Sequence, residues 1–123
     1  MNSHGQSPDP PLPLTPAMFH VLAALAEGEK HGYAILKEVE VQTQGEVRLS
    51  AGTLYGIIKR LLVGGMIVET SERPAPELDD SRRRYYRLTD WGHAVAVAEA
   101  RRMEKLIVMA RGKHLLKKLK PVQ

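Results

Sequence analysis

One stretch constrains this chain more than any other: Leu49-Ser50-Ala51-Gly52-Thr53-Leu54-Tyr55-Gly56-Ile57-Ile58-Lys59-Arg60-Leu61-Leu62. Ser50 suits an N-cap, because its hydroxyl accepts from the free backbone N–H groups of a first helical turn, so a helix is expected to begin there. At helical spacing Leu54, Ile57, Ile58, Leu61 and Leu62 share one apolar stripe, while Gly52, Tyr55, Gly56 and Lys59 fall on the opposite side. One face is core and the other is presented. A glycine inside a helix costs about 1 kcal/mol relative to alanine, so the bare positions 52 and 56 call for a compensating role. Close approach to a grooved partner such as the DNA major groove is one, with Thr53, Tyr55 and Lys59 reaching outward. Close packing of another helix of the same protein is the other.

Length and charge narrow the classes. The 123 residues suit one domain plus an attached element. With 18 Lys and Arg against 14 Asp and Glu, the formal charge of +4 favours an anionic partner. Cysteine is absent, which removes disulfides and thiolate metal sites. The apolar runs are shorter than a membrane span, and no basic region precedes an apolar run at the amino terminus. A soluble, cytoplasmic protein is the expectation.

Around the central helix the rest of the chain falls into place. Residues 1–14 are rich in proline and polar groups with almost nothing to bury, and are expected to form a disordered arm. The arm holds no Lys or Arg, so an inert tail is favoured over minor-groove contact. Thr15-Pro16 reads as a cap and first helical residue, followed by a core stripe of Met18, Val21, Leu22 and Leu25. Phe19 and His20 lie off that stripe and are candidates for contact with another element or subunit. A second helix is predicted from about His31 to Thr43 with Ile35, Leu36 and Val39 inward, and Glu46-Val47-Arg48-Leu49 reads as a strand stub. Tyr33 suits either a half-buried core position or a phosphate contact. Met66 to Arg73 and Arg82 to Leu88 read as the strands of a β-hairpin across a proline-rich, acidic loop. Period-two alternation puts Arg84, Tyr86 and Leu88 on one face and Arg83, Tyr85 and Arg87 on the other. From its cap at Thr89, one long helix is predicted to run toward Leu119, with Gly112 as its weak point. Ala96, Ala100, Met103, Ile107 and Ala110 form one stripe on it; Trp91, Val95, Ala98 and Met109 form another. Two apolar sides imply packing on the domain and on a second copy, the alternative being an alanine-rich surface.

Helix, helix, short strand, helix, hairpin and long final helix make an α+β, mostly α fold: a winged helix-turn-helix with an appended dimerisation helix. The chain resembles the PadR family of bacterial transcriptional regulators. The likeness is carried by His31-Gly32-Tyr33, by Leu49-Ser50-Ala51-Gly52-Thr53-Leu54-Tyr55, by Arg60-Leu61 to Gly65-Met66-Ile67, and by Arg83-Arg84-Tyr85-Tyr86-Arg87-Leu88-Thr89 with Gly92. It spans about Leu14 to Met109. What the resemblance implies is a homodimeric repressor whose third helix enters the major groove of a pseudo-palindromic operator. Ser50, Thr53, Tyr55 and Lys59 would then be recognition-helix contacts, Tyr33 and Lys37 phosphate contacts, and Arg82, Arg83 and Arg84 wing contacts. The acidic wing tip, Pro76-Glu77-Leu78-Asp79-Asp80, departs from the family pattern and would repel phosphate. Some relatives bind flat aromatic compounds at the dimer interface, which makes Trp91, Met103 and Met109 candidates for a small-effector pocket. The expected units are 1–14 arm, 15–88 winged-helix domain, 89–119 dimerisation helix and 120–123 tail.

A competing reading is a winged-helix module that binds protein, but a polar, small-residue helix face argues against it. An enzyme is not expected: His4, His20, His31, His93 and His114 are scattered, without metal spacing, a phosphate-binding glycine loop or a nucleophile motif. No metal or cofactor is expected.

Overall fold

The computed structural model describes residues 10–70 and 84–117. Helix α1 spans Pro16–Leu25, and Thr15 caps it by accepting from the Met18 N–H. Strand β1, Lys30–His31, leads into α2, Gly32–Gln42, whose cap is the imidazole of His31 accepting from the Ala34 N–H at 3.1 Å. Helix α3 spans Ala51–Val63 from its cap Ser50. Strands β2, Ile67–Thr70, and β3, Tyr85–Leu88, then precede α4, Asp90–Gly112. The sheet is antiparallel in the order β1-β3-β2, with Lys30 opposite Tyr86 and Ile67 opposite Leu88. This is the winged helix-turn-helix arrangement with a long C-terminal helix.

The core forms where the apolar stripes meet. Val21, Leu22 and Leu25 of α1, Ile35 and Val39 of α2, and Leu54, Ile57, Ile58 and Leu61 of α3 are all buried, joined by Ile67, Tyr86 and Val95. The alternation expected in β3 holds: Tyr86 is buried, Leu88 packs on the core, and Arg87 faces solvent.

Three expectations are corrected. Residues 46–49 form no strand. Thr43 Oγ1 takes the Val47 N–H at 3.0 Å, withdrawing it from any ladder, while Val47 and Leu49 pack on the core. The third strand is instead Lys30–His31, so the order begins helix, strand, helix, helix. The arm is not empty of core residues: Leu14 is buried and Leu12 packs beside it. Helix α4 ends at Gly112, short of Leu119, because Lys113 caps it and His114 turns into the left-handed region, with the Leu115 N–H closing on the Ala110 carbonyl.

Two close joints fix α4. Gly65, in the left-handed region, turns the chain out of α3. The Met66 carbonyl then accepts from the Thr89 N–H, and Thr89 Oγ1 donates to the Gly65 carbonyl at 2.6 Å while accepting from the Gly92 N–H. A side chain at position 92 would overlap the Met66 carbonyl, so the first turn of α4 needs glycine. Further along, Glu99 is 2% exposed. Its carboxylate accepts from Arg102 Nε at 2.6 Å, from Arg102 Nη2 at 3.1 Å and from the Leu14 N–H at 3.1 Å. The Arg102 hydrogen bond, joined by that from Leu14, holds the Glu99 carboxyl below its ordinary range against the opposing effect of burial.

A carboxylate with a depressed folded-state pKa stabilises the protein above its unfolded pKa, and that contribution is lost as pH falls through the folded value. Glu99→Gln should therefore be less stable than wild type in urea unfolding at pH 7, and the gap should close as the solution is acidified through and below the carboxylate range.

Candidate nucleic-acid interface

The outward face of α3 is as bare as the sequence implied. Ser50, Gly52, Thr53, Tyr55, Gly56 and Lys59 are all exposed. A Cβ at Gly52 or Gly56 would meet nothing within 4 Å, so among the described residues no helix packs there and close packing within the chain does not explain these glycines. Ser50 Oγ accepts from the Thr53 N–H at 3.1 Å and donates to Thr53 Oγ1 at 3.0 Å, which anchors the first turn and orients both hydroxyls.

Beside this face stands α2. Tyr33 is exposed, its ring stacked on His31 with centroids 6.4 Å apart, and Lys37 Nζ lies 6.0 Å from the Tyr33 centroid. One helical turn apart, the two present a ring and a charge on the same side. Tyr33 and Tyr55 line an apolar recess of about 120 Å³ together with Gly32, Leu36, Ala51 and Leu54. The structure thus brings together Tyr33, Lys37 and Tyr55. On the wing, Arg84 is exposed and pairs with Glu69, its Nη1 3.3 Å from each carboxylate oxygen. Arg82, Arg83 and the acidic tip lie outside the described residues. Between the wing and α3, burial first and the Glu69 and Tyr55 charges next hold the Tyr86 phenol above its ordinary value, opposed by Arg84.

The residues named for dimerisation divide. Ala96 packs against the domain core and belongs to the inward side with Val95 and Trp91. Ala100 and Ile107 are exposed, and Met103 and Ala110 are half-buried. The apolar surface that α4 leaves bare extends through Leu106, Val108 and Met109, with Leu115 and Leu116 beyond the helix end. For the effector candidates, Trp91 and Met109 stand about 27 Å apart along the axis of α4 at 1.5 Å per residue, so within one chain they cannot line the same small pocket. Phe19 packs on the core, and His20 lines a recess between α1 and α2. Among the described residues no group of three or more His, Cys, Asp or Glu could hold a metal ion, and no helix is long and apolar enough to cross a membrane.

Residues 21–98 match the model of the transcriptional regulator PadR-like family. The chain belongs to that family. It is a PadR-family transcriptional regulator, of a family of non-enzymatic regulators. Over 87 residues it is 34% identical to the transcriptional regulator Rv3488 of Mycobacterium tuberculosis, covering 71% of this chain and 75% of that one. It is 38% identical over 90 residues, or 73% of its length, to an uncharacterized 37.1 kDa protein in transposon TN4556 of Streptomyces fradiae, but spans only 24% of that protein. Among solved structures, a PadR family transcription regulator from Clostridium difficile R20291 superposes with a TM-score of 0.64 at 23% identity, over 78% of this chain and 95% of the other. Bordetella bronchiseptica BpsR, described for the regulation of its DNA binding by 6-hydroxynicotinic acid, superposes with a TM-score of 0.60 at 22% identity, over 84% of this PadR chain and 64% of BpsR.

Two features of the PadR domain escaped sequence reasoning. Tyr55 lies against Gly32, a contact hidden because neither residue's partner is legible in a linear pattern. Glu99 carries no sequence mark of burial beyond Arg102 one turn on, and that spacing is common on solvated helices.

Since Ser50 holds the first turn of α3, Ser50→Ala should lower unfolding free energy by about 1 kcal/mol while leaving the helix content of the folded protein unchanged by circular dichroism.

Proposed function

We propose that this PadR-family chain is a homodimeric transcriptional repressor that places α3 in the major groove of a pseudo-palindromic operator. The observation that supports it best is the solvent-open, side-chain-free edge at Gly52 and Gly56, flanked by Thr53 and Lys59. A helix bare along one edge can approach base edges closely, with hydroxyls and an ammonium at its rim for bases and phosphates. Tyr33, exposed on α2, and Lys37 one turn on would serve the adjacent backbone, and Arg84, with Arg82 and Arg83 before it in sequence, the wing contacts. Tyr55 stands at the edge of the same face toward α2. The formal charge of +4 favours association with the duplex.

The homodimer reading rests on α4. Its C-terminal half leaves Leu106, Ile107, Val108 and Met109 exposed in succession, with Val108 at 63%. A solvated helix of an isolated monomer has no use for such a surface, whereas a second copy would cover it and fix the spacing of two α3 helices. An effector pocket lined by Trp91, Met103 and Met109 would have to draw on both copies, given their separation along α4. Regulation of BpsR by 6-hydroxynicotinic acid supports a small aromatic molecule as the class of effector to try.

Two measurements test this. Binding to a labelled duplex from the region upstream of the chain's own coding sequence should exceed binding to a scrambled duplex and fall linearly in log salt, and Lys59→Ala should reduce the slope by about 1. Equal weak binding to both duplexes would sink the specific-regulator reading. For the dimer, Ile107→Glu should shift the mass by light scattering to that of the 13.7 kDa monomer; a variant that stays dimeric would place the seam elsewhere.

A further inference from the structure

Gly32 is buried at the first position of α2, and the Tyr55 ring of α3 lies on it. A Cβ at position 32 would stand 2.5 Å from Tyr55 Oη, 3.0 Å from Cζ and 3.4 Å from Cε1. Carbon atoms in good contact stand roughly 3.5–4.0 Å apart, so even alanine does not fit unless the phenol moves. Gly32 is not among the glycines in the left-handed region, which are Gly28, Gly45 and Gly65. Its backbone therefore does not demand glycine. Space for the phenol does.

The location of this seat gives it consequence. Gly32 follows His31, which pairs with Tyr85 in the sheet and packs its ring edge-on against Tyr85 at 5.4 Å. Tyr55 thus reaches from the middle of α3 to the point where α2 leaves the wing sheet. Gly32, Tyr33 and Tyr55 line one recess with Leu36, Ala51 and Leu54, at the joint of α2 and α3. Tyr55 is 45% exposed, so its ring is neither free in solvent nor part of the core.

We propose that Tyr55 is a positioning residue: its phenol, seated on bare Gly32, sets how α3 lies against α2 and the wing, and Gly32 is glycine to admit it. This rests on the DNA-binding reading above. It differs from a direct-contact role in what the hydroxyl does, since the phenol acts through the pose of α3 and Thr53 and Lys59 do the touching.

The test compares wild type, Gly32→Ala, Tyr55→Phe and the double variant by urea unfolding and by binding to the upstream and scrambled duplexes, under conditions where each is folded. Gly32→Ala should weaken binding to the upstream duplex about tenfold or more, with little change for the scrambled one. Tyr55→Phe should stay within about threefold of wild type, and the double variant should regain about threefold or more of the loss, because the closest atom is gone. The unfolding midpoints should show the same rescue. Wild-type binding by Gly32→Ala, a loss in Tyr55→Phe as large as that in Gly32→Ala, or a double variant no better than Gly32→Ala would each overturn the proposal. So would rescue seen in unfolding but no change in duplex preference, which would make the contact structural alone. If Gly32→Ala does not fold, the double variant must; its failure too would overturn the seat. A wild type without preference for the upstream duplex overturns the DNA reading and this role with it, and is distinguishable because seat failure leaves wild-type preference intact.

Discussion

The buried carboxylate of Glu99 is the constraint around which the two ends of the chain are arranged. A charge with 2% exposure is tolerable only when its oxygens are matched, and here Arg102 supplies two donors from one turn along the same helix while the Leu14 N–H supplies a third from 85 residues away. The consequence is positional. Leu14 is drawn into the core immediately before Thr15 caps α1, so the entry of α1 is set by a residue of α4. An apolar side chain at 99 would bury as much surface but would accept no hydrogen bond, and the Leu14 N–H would be left without this partner.

That clamp also divides α4 in two. Up to Glu99 the helix turns Gly92, Val95 and Glu99 inward at intervals of three or four residues; beyond Arg102 it faces solvent with Leu106, Ile107, Val108 and Met109. Its base is tied to the end of α3 by two hydrogen bonds from Thr89, to Gly65 and Met66, and by a contact of Gly92 with Met66 too close for any side chain, which leaves little room for a change of angle. On the dimer reading, these two attachments give the projecting half a defined direction, so that what happens at the seam and where α3 points are linked through one stiff helix.

How much of this was legible in the chain depended on the range of the signal. The stripe of α3, its Ser50 cap and its bare face follow from period and local hydrogen-bonding chemistry, both contained within fourteen residues. Strand β1 is two residues long and shows no period; it exists because Tyr85 and Tyr86 arrive from far along the sequence. Conversely, Glu46-Val47-Arg48-Leu49 alternates like a strand, yet local hydrogen bonding by Thr43 wins over pairing. Leu12 and Leu14 were hidden by the prolines around them, whose local preference is extended chain even where the leucines between them are buried. Within the site, the exposed polar set of α2 and α3 was readable from helical faces, whereas the seat of Tyr55 on Gly32 joins two helices and needs their packing to be seen. Ala96, named for a dimer stripe, packs at least partly on its own domain: periodicity identifies an apolar side but not which neighbour covers it.

The bare edge of α3 can persist because its opposite side is strongly held. Burying Leu54, Ile57, Ile58 and Leu61 contributes about 1.5–3 kcal/mol for each side chain, while two glycines together cost about 2 kcal/mol relative to alanine. The helix therefore remains secure with both glycines in place, and alanine at either position would fit without a clash and raise helix propensity. Neither fold stability nor packing among the described residues calls for glycine at 52 and 56. A partner whose surface must come closer to the helix axis than a methyl group allows would account for both glycines. The major groove of DNA meets that description, and the hydroxyls of Ser50 and Thr53 and the ammonium of Lys59 border the exposed edge where polar contact with base edges and phosphates would be made.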